Sequence, residues 1–224
     1  MSTPSFHDIV RQRRAVRKYL PTPLTSDQLN EVLEDAQWSP SNCNMQPWQV
    51  HLVSGATKDK LSEALKAEHL AGRTSEDFWF DHEGYEGVYL ERMMHMGQKR
   101  NEALNIARDD HARRDREMLR QFEFFDAPHV ALLFMPVFGD SVRTAGDLGM
   151  YGQTLLLSLT AHGYAGIPQT LLGMHAGVIR EVLGIPEEMK MLYGISFGYA
   201  DPEATGYSVN LGRAPISDNV RFYD

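Results

Sequence analysis

Arginine residues crowd the sequence near its beginning. Arg13, Arg14 and Arg17 fall within five positions, and a guanidinium group can donate two parallel hydrogen bonds to a carboxylate or a phosphate. On a helix, residues four apart share a face, so Arg13 and Arg17 would point the same way. Arg213, near the other end of the chain, could add a donor if the tail folds back. These residues suggest a clamp for a phosphate dianion, and a solvated helix end is the alternative.

A second candidate segment is rich in amide and hydroxyl groups. Residues 39–48 have the sequence SPSNCNMQPW. Such groups can hydrogen-bond a polyol or the edge of a planar heterocycle. A polar turn between a helix and a strand would have a similar composition, so both interpretations stay open.

Other catalytic patterns fail on their context. Residues 194–198, GISFG, match the Gly-x-Ser-x-Gly elbow of esterases, in which Ser196 would be the nucleophile. An elbow requires a following helix and a later histidine, yet no histidine follows His175. A buried strand is the better interpretation. The nine histidines have no metal-ligand spacing, so no metal is expected. Glycine-rich nucleotide-binding motifs are also missing.

Composition limits the partners and the compartment. The 224 residues carry a formal charge of −8, which disfavours nucleic acid as a partner. The longest apolar runs are too short to span a membrane. The single cysteine, Cys43, favours a reducing compartment, and the first residues have no leader-like pattern. We therefore expect a cytoplasmic protein.

Periodicity predicts the elements that would hold these residues. The pattern of apolar residues indicates helices over residues 6–19, 26–36, 57–71, 147–162 and 174–183, and strands over residues 48–53, 128–135 and 190–197. Thr25 and Gln28 have the spacing of a capping box. The helix over residues 147–162 is apolar almost all round, which predicts packing on every face.

The overall order of elements predicts a single domain over residues 1–224. It is α+β, with helices flanking a central mixed or antiparallel sheet. Residues 72–126, rich first in aromatic residues and then in mixed charge, are expected to form a helical excursion from this domain.

Four segments in this order resemble the FMN-dependent nitroreductase family. They are RRAVRKY at residues 13–19, SPSNCNMQPW at residues 39–48, GYAGIPQ at residues 163–169, and GISFGYADP at residues 194–202 followed by Arg213. The resemblance implies an intertwined homodimer with the α+β fold. It also implies one FMN in each of two clefts at the interface.

Carried over position by position, the resemblance implies a set of cofactor-binding residues. The first group would hold the phosphate, the ribityl chain and the N1 side of the flavin, a second group would come from the neighbouring subunit, and a third would line the edge of the flavin near N5. In that order, these residues are Arg13, Arg14, Ala15, Arg17 and Arg213; Pro40, Ser41, Asn42, Asn44 and Gln46; and Pro168, Gln169, Thr170 and Leu171. Ala15 replaces a serine found in many members, and Leu211 replaces a basic residue found in some.

The implied activity is a ping-pong reduction. NADH or NADPH would reduce the bound FMN and leave before a nitroaromatic or quinone-like substrate enters. The flavin carries the chemistry, so no side chain is expected to be catalytic. Ene reduction and reductive dehalogenation are alternatives within the family. A hydrolase using Ser196 and a non-catalytic binding domain are alternatives outside it.

Substrate choice is expected to reside in the excursion over residues 72–126. Its aromatic rings offer flat apolar surfaces on which an aromatic substrate could stack. The best candidates are Tyr85, Tyr89 and Phe124. For most of the rings in this segment, packing between helices is the alternative.

Overall fold

The computed structural model describes residues 4–81 and 83–224. Residues 1–3, on which the expected lack of a leader partly depends, and His82 of the excursion lie outside the described residues. The described strands are β1 (Gln49–Ser54), β2 (His129–Met135), β3 (Ala165–Gln169) and β4 (Lys190–Gly198). The α-helices are α1 (Phe6–Gln12), α2 (Ser26–Gln37), α3 (Gly55–Leu70), α4 (Gly87–Ala103), α5 (His111–Leu119), α6 (Val142–Ala161), α7 (Thr170–Gly173), α8 (Ala176–Leu183) and α9 (Ile216–Asn219). Short 3-10 turns occur at Asn42–Asn44, Phe124–Asp126 and Thr205–Tyr207.

The four strands form one sheet in the order β1-β2-β4-β3. All three pairs are antiparallel, for example Val50 with Leu133 and Ile167 with Ser196. All residues of β2 are buried, because this strand has a neighbour on each side and is covered on both faces. The predicted α+β class with an antiparallel central sheet is confirmed.

Helices cover both faces of the sheet and bury two hydrophobic clusters. The side chains of β2 alternate between the clusters, as the pleat of a strand requires. Val130, Leu132 and Phe134 join the cluster under α3 and α8. Ala131, Leu133 and Met135 join the cluster under α2 and α6. Because both faces are covered, the β2 sequence is a continuous apolar run instead of an alternating one.

The predicted helix over residues 6–19 is wrong beyond Gln12. The chain leaves α1 at Arg13 and continues extended, with Ala15 bridged in parallel to Gly166 and Tyr19 bridged to Ala200. Tyr19 is 2% exposed and packs in the α3 and α8 cluster. Pairing with the sheet and burial of this ring outweigh the local helical pattern.

Local signals succeed where capping decides the boundary. In α2 the Thr25 side chain accepts from the backbone N–H of Gln28 (3.3 Å), and the Gln28 side chain accepts from the N–H of Thr25 (2.9 Å). This capping box is the predicted one. The strands predicted over residues 48–53, 128–135 and 190–197 are β1, β2 and β4 within one residue at each end.

Helix α6 departs from its prediction on one side. Gly149, Met150 and Gln153 are exposed in the isolated chain, so the helix is not packed on every face within it. Gly152, in contrast, is required for close packing. A Cβ there would overlap the hydroxyl of Tyr193, which donates to the carbonyl of Leu148 (3.2 Å).

The excursion contains α4 and α5 and is anchored by a buried ion pair. The Asp77 side chain, 3% exposed, pairs with Arg180 and with Lys190 (3.4 Å). It also accepts from the backbone N–H of Met191 (2.8 Å). These contacts fix the start of the excursion to α8 and β4. No helix in the described ranges combines the length and apolar character needed to cross a bilayer.

Candidate cofactor site

The extended segment after α1 spreads its arginines along a line. A strand rises about 3.3 Å per residue, so Arg13 and Arg17 lie roughly 13 Å apart along the backbone, compared with about 6 Å on a helix. The predicted helical face shared by these residues is therefore wrong. The parallel bridge between Ala15 and Gly166 places this segment beside β3. Two charges so spaced suit the two ends of an elongated ligand better than a single small anion.

Arg13 and Arg213 come together although 200 positions separate them in the sequence. Burial lowers the pKa of Arg13, and the positive charges of Arg213 and Arg14 lower it further. The tail thus folds back onto the segment after α1, as the clamp requires. Within residues 4–81 and 83–224, neither Arg13 nor Arg213 forms an ion pair with a carboxylate. Two guanidinium groups that repel each other without an acidic partner are suited to binding an anion.

Arg14 is used in part within its own segment. Its Nη1 donates to the backbone carbonyls of Arg11 and Arg13, the latter at 2.9 Å. Fewer donors remain for a ligand than on Arg13.

Arg17 is held by its backbone and is partly buried. Its N–H donates to the carbonyl of Tyr207 (3.0 Å), and its carbonyl accepts from Arg120 Nη2 (2.8 Å). Burial and the charge of Arg100 lower the pKa of Arg17 to about 10, against smaller opposite effects of Tyr19 and Glu117. The side chain stays cationic at neutral pH, and Arg17 has no direct ion pair among the described residues.

The residues at the end of β3 differ in their exposure. Pro168 and Thr170 are exposed and Leu171 is half-buried, but Gln169 is 3% exposed. Gln169 Nε2 donates to the carbonyl of Gln121 (2.9 Å), and its Oε1 accepts from the Ser196 hydroxyl. The Gln169 side chain therefore belongs to the core and is not available to a ligand.

The same contact removes the hydrolase hypothesis. Ser196 lies inside β4, is fully buried, and donates its hydroxyl to an amide oxygen. A serine nucleophile needs an exposed hydroxyl and an adjacent base. The interpretation of residues 194–198 as a buried strand is confirmed.

The polar loop before β1 is exposed and tightly shaped. Pro40, Asn42, Asn44 and Gln46 are exposed, and Ser41 is half-buried. The Ser41 hydroxyl accepts from the N–H of Gln46 (2.9 Å), and the N–H of Asn42 donates to Asp147 Oδ1 (3.0 Å).

Left-handed backbone conformations complete this loop. Cys43, Asn44 and Gln46 have φ angles of 51°, 55° and 50°. Non-glycine residues hold such angles only where their surroundings fix them. No hydrogen bond or ion pair joins the loop to Arg13, Arg17 or Arg213 in the described part of this chain. The loop is thus a preformed polar surface held on α6.

Sequence reasoning missed Asp147 as the residue that anchors this loop. It is 3% exposed, and its Oδ2 has no hydrogen-bond partner among the described residues. The available signal was an acidic residue within an apolar helix. Glu117 and Arg120, buried beside Arg17, were also missed, because nothing distinguishes them within a segment of mixed charge.

The structure separates the three aromatic candidates of the excursion. Phe124 is fully buried in the core, so its assignment to an open substrate cleft is wrong. Tyr85 and Tyr89 are 39% and 67% exposed and remain at the surface. Phe124 also has a left-handed φ of 54°, at the turn that leads into β2.

Comparison with known proteins identifies the family of this chain. Residues 10–199 match the Nitroreductase family. The nitroreductase NfnB of Mycolicibacterium smegmatis is 42% identical over 96% of this chain and 91% of its own length. The 4-nitrobenzoate reductase of Pseudomonas putida is 31% identical over 94% of this chain and 92% of its own.

A solved structure extends the likeness to the fold. The crystal structure of the FMN-dependent nitroreductase NfnB from Mycobacterium smegmatis in complex with NADPH superposes with a TM-score of 0.92. It is 42% identical, and the match covers 97% of each chain. The two proteins share one α+β fold, and in this chain it has a four-stranded antiparallel sheet flanked by helices. The chain belongs to the nitroreductase family.

Proposed function

We propose that this protein is an FMN-dependent oxidoreductase that uses NADPH or NADH to reduce nitroaromatic or quinone-like substrates in a ping-pong cycle. The observation that carries the proposal is the pairing of Arg13 with Arg213, two neighbouring cations without an acidic partner in the described residues. When bound, FMN would supply the hydride-transfer chemistry between the nicotinamide and the substrate. The protein supplies the position and the charge.

The residues present suit such a cofactor. Arg13 and Arg213 would hold the phosphate, with Arg14 and the backbone at Ala15 beside the ribityl chain. Arg17, about 13 Å further along the extended segment, would face the N1 side of the flavin. The β3 end, from Pro168 to Leu171, would lie along the edge of the flavin.

The loop from Pro40 to Gln46 is assigned to the site of a neighbouring subunit. It is exposed and preshaped, and among the described residues no hydrogen bond or ion pair joins it to Arg13, Arg17 or Arg213. A homodimer accounts for these features together with the exposed side of α6. In that homodimer we propose that residues 1–224 form one domain.

The excursion over residues 72–126 is proposed as the substrate side. Tyr85, Tyr89 and Trp79 present exposed rings there, and Trp79 is 78% exposed. Flat apolar surfaces of this kind suit aromatic substrates stacked on a flavin. A nitroaromatic is favoured over the alternatives of ene reduction and dehalogenation because the similar proteins are named as nitroreductases and a nitrobenzoate reductase. A cytoplasmic location suits the single exposed thiol of Cys43.

The test has two stages. Purified protein should be yellow, carry about one FMN per chain, and sediment as a dimer. Under anaerobic conditions NADPH should bleach the flavin absorbance, and 4-nitrobenzoate should then restore it. NADH in a parallel experiment measures the nicotinamide preference.

The outcomes separate the hypotheses. Colourless protein that gains no visible spectrum with excess FMN would favour a binding domain without a flavin. If FMN is bound but neither NADPH nor NADH bleaches it, the protein is a flavoprotein without the proposed reductase activity. If a quinone restores the flavin absorbance and 4-nitrobenzoate does not, the substrates are quinones instead of nitroaromatics.

A further inference from the structure

A cluster of buried charges joins the excursion to Arg17. Glu117, near the end of α5, is 8% exposed. Its carboxylate accepts from Arg100 Nη2 (3.2 Å), from Arg120 Nη1 (3.3 Å) and from the Tyr207 hydroxyl (3.2 Å). One carboxylate is therefore shared by two guanidinium groups and a phenol. Breaking a buried network of this kind leaves unpaired charges inside the protein.

The same cluster hydrogen-bonds the backbone of Arg17 at both its N–H and its carbonyl. Arg120, itself 7% exposed, donates to the Arg17 carbonyl, and the Arg17 N–H donates to the Tyr207 carbonyl. The Arg120 guanidinium lies 4.5 Å from the centroid of the Tyr207 ring. Both residues that hold the Arg17 backbone are thus in contact with Glu117.

The charges in this cluster do not cancel. Arg17, Arg100 and Arg120 carry three positive charges, and Glu117 is the carboxylate placed among them. Asp126 pairs with Arg120 at 3.1 Å, but its side chain is 43% exposed and partly screened by water. Glu117 opposes the effect of Arg100 on Arg17. Removing the charge of Glu117 would leave the cluster one unit more positive.

We propose that Glu117 is a positioning residue for the cofactor site, which holds the backbone of Arg17 in place through Arg120 and Tyr207 and offsets part of the positive potential that the three arginines of the cluster place on the flavin. The inference rests on the proposed function, because it requires FMN beside Arg17. Reduced flavin bears one more negative charge than oxidised flavin when its N1 is deprotonated. A cation near N1 therefore stabilises the reduced form, and Glu117 keeps the reduction potential of the bound flavin lower than the arginines alone would set it.

The experiment compares the reduction potential of FMN bound to the wild type and to two substituted proteins. Glu117→Gln removes a negative charge at nearly constant shape, and Arg100→Gln removes a positive charge from the same contact. We expect Glu117→Gln to favour reduced over oxidised FMN about tenfold, which is about 30 mV for a two-electron couple. A unit charge roughly 12 Å away gives this factor at an effective dielectric constant of about 20. Arg100→Gln should shift the potential the other way.

Opposite signs distinguish an electrostatic role from simple support. If Glu117 and Arg100 only kept Arg17 in place, both substitutions would loosen it and both potentials would move in one direction. Shifts of the same sign, or no shift with FMN still bound, would overturn the proposal. Glu102→Gln is the matched control, because Glu102 is an exposed carboxylate on α4 paired with Lys99, and its removal should shift the potential far less.

Two further results remain decisive. If Glu117→Gln does not fold, the shift in the FMN reduction potential of Arg100→Gln decides. A lower potential supports the proposal, and an unchanged or higher potential contradicts it. If the wild type binds no FMN, the flavin content reveals the failure of the proposed function before any potential is measured, and the role of Glu117 falls with it.

Discussion

The sharpest prediction concerns Arg13 and Arg213, which approach each other and have no acidic partner within residues 4–81 and 83–224. We expect Arg13→Ala combined with Arg213→Ala to remove FMN from a protein that still folds. A hydrogen bond between charged groups contributes about 1.5–3 kcal/mol net. Losing one such contact from each guanidinium weakens binding by roughly 3–6 kcal/mol, which is about 10²- to 10⁴-fold in the dissociation constant.

The stability of the FMN-free protein should not fall together with its affinity for FMN. The charge of Arg213 lowers the pKa of Arg13, so the two groups repel each other when no anion lies between them. Removing Arg213 relieves this repulsion, and the thermal midpoint of the FMN-free protein should stay constant or rise slightly. A loss of affinity without a loss of stability is typical of a residue retained for binding.

The assay titrates FMN-free protein with FMN and follows the quenching of flavin fluorescence, alongside thermal unfolding without the cofactor. Arg11→Ala is the matched control, because Arg11 is an exposed arginine on α1. The dissociation constant of the Arg11→Ala protein for FMN should match that of the wild type. Unchanged FMN affinity in the double substitution would refute the phosphate clamp, and an equal loss in the control would show a general effect of net charge.

Two predictions concern stability. Asp77→Ala should lower the free energy of unfolding in urea by about 3–5 kcal/mol, because it leaves Arg180 and Lys190 without their buried partner. The control is Asp59→Ala, which removes a 73% exposed carboxylate beside Lys58 and should lower the free energy of unfolding by at most about 1 kcal/mol. Equal losses in the two proteins would contradict the anchoring role of Asp77. His129 accepts the Leu24 N–H at Nε2 (2.9 Å), and burial together with the charge of Lys58 lowers its pKa. The unfolded chain therefore takes up the proton first, so stability should fall as the pH drops below about 6.5. His129→Gln should flatten this decline between pH 7 and 5.5, and an identical slope in both proteins would rule His129 out as a cause.

Elements governed by neighbouring residues were predictable. The capping box of Thr25 and Gln28 requires only residues three apart, and the structure contains it. The run of β2 is apolar at every position because the strand is covered on both faces, so its burial was visible in the sequence. The order of the motifs was enough to identify the family.

Errors arose where distant contacts outweighed the local pattern. Residues 13–19 have a helical pattern, but Ala15 bridges to Gly166 and Tyr19 is buried, so the segment is extended. Phe124 could not be told from Tyr85 by residue type, although one is in the core and the other at the surface.

By itself, the sequence determined the cationic and polar residue types of the site and most of the elements that carry them, because these depend on composition and short-range spacing. Only the tertiary structure decided that Arg13 meets Arg213, that Asp147 shapes the polar loop, and that Glu117 lies among three arginines. Those contacts join residues far apart in the chain. Their charges acquire a meaning only when folding brings them together in a partly buried place, where water screens them weakly.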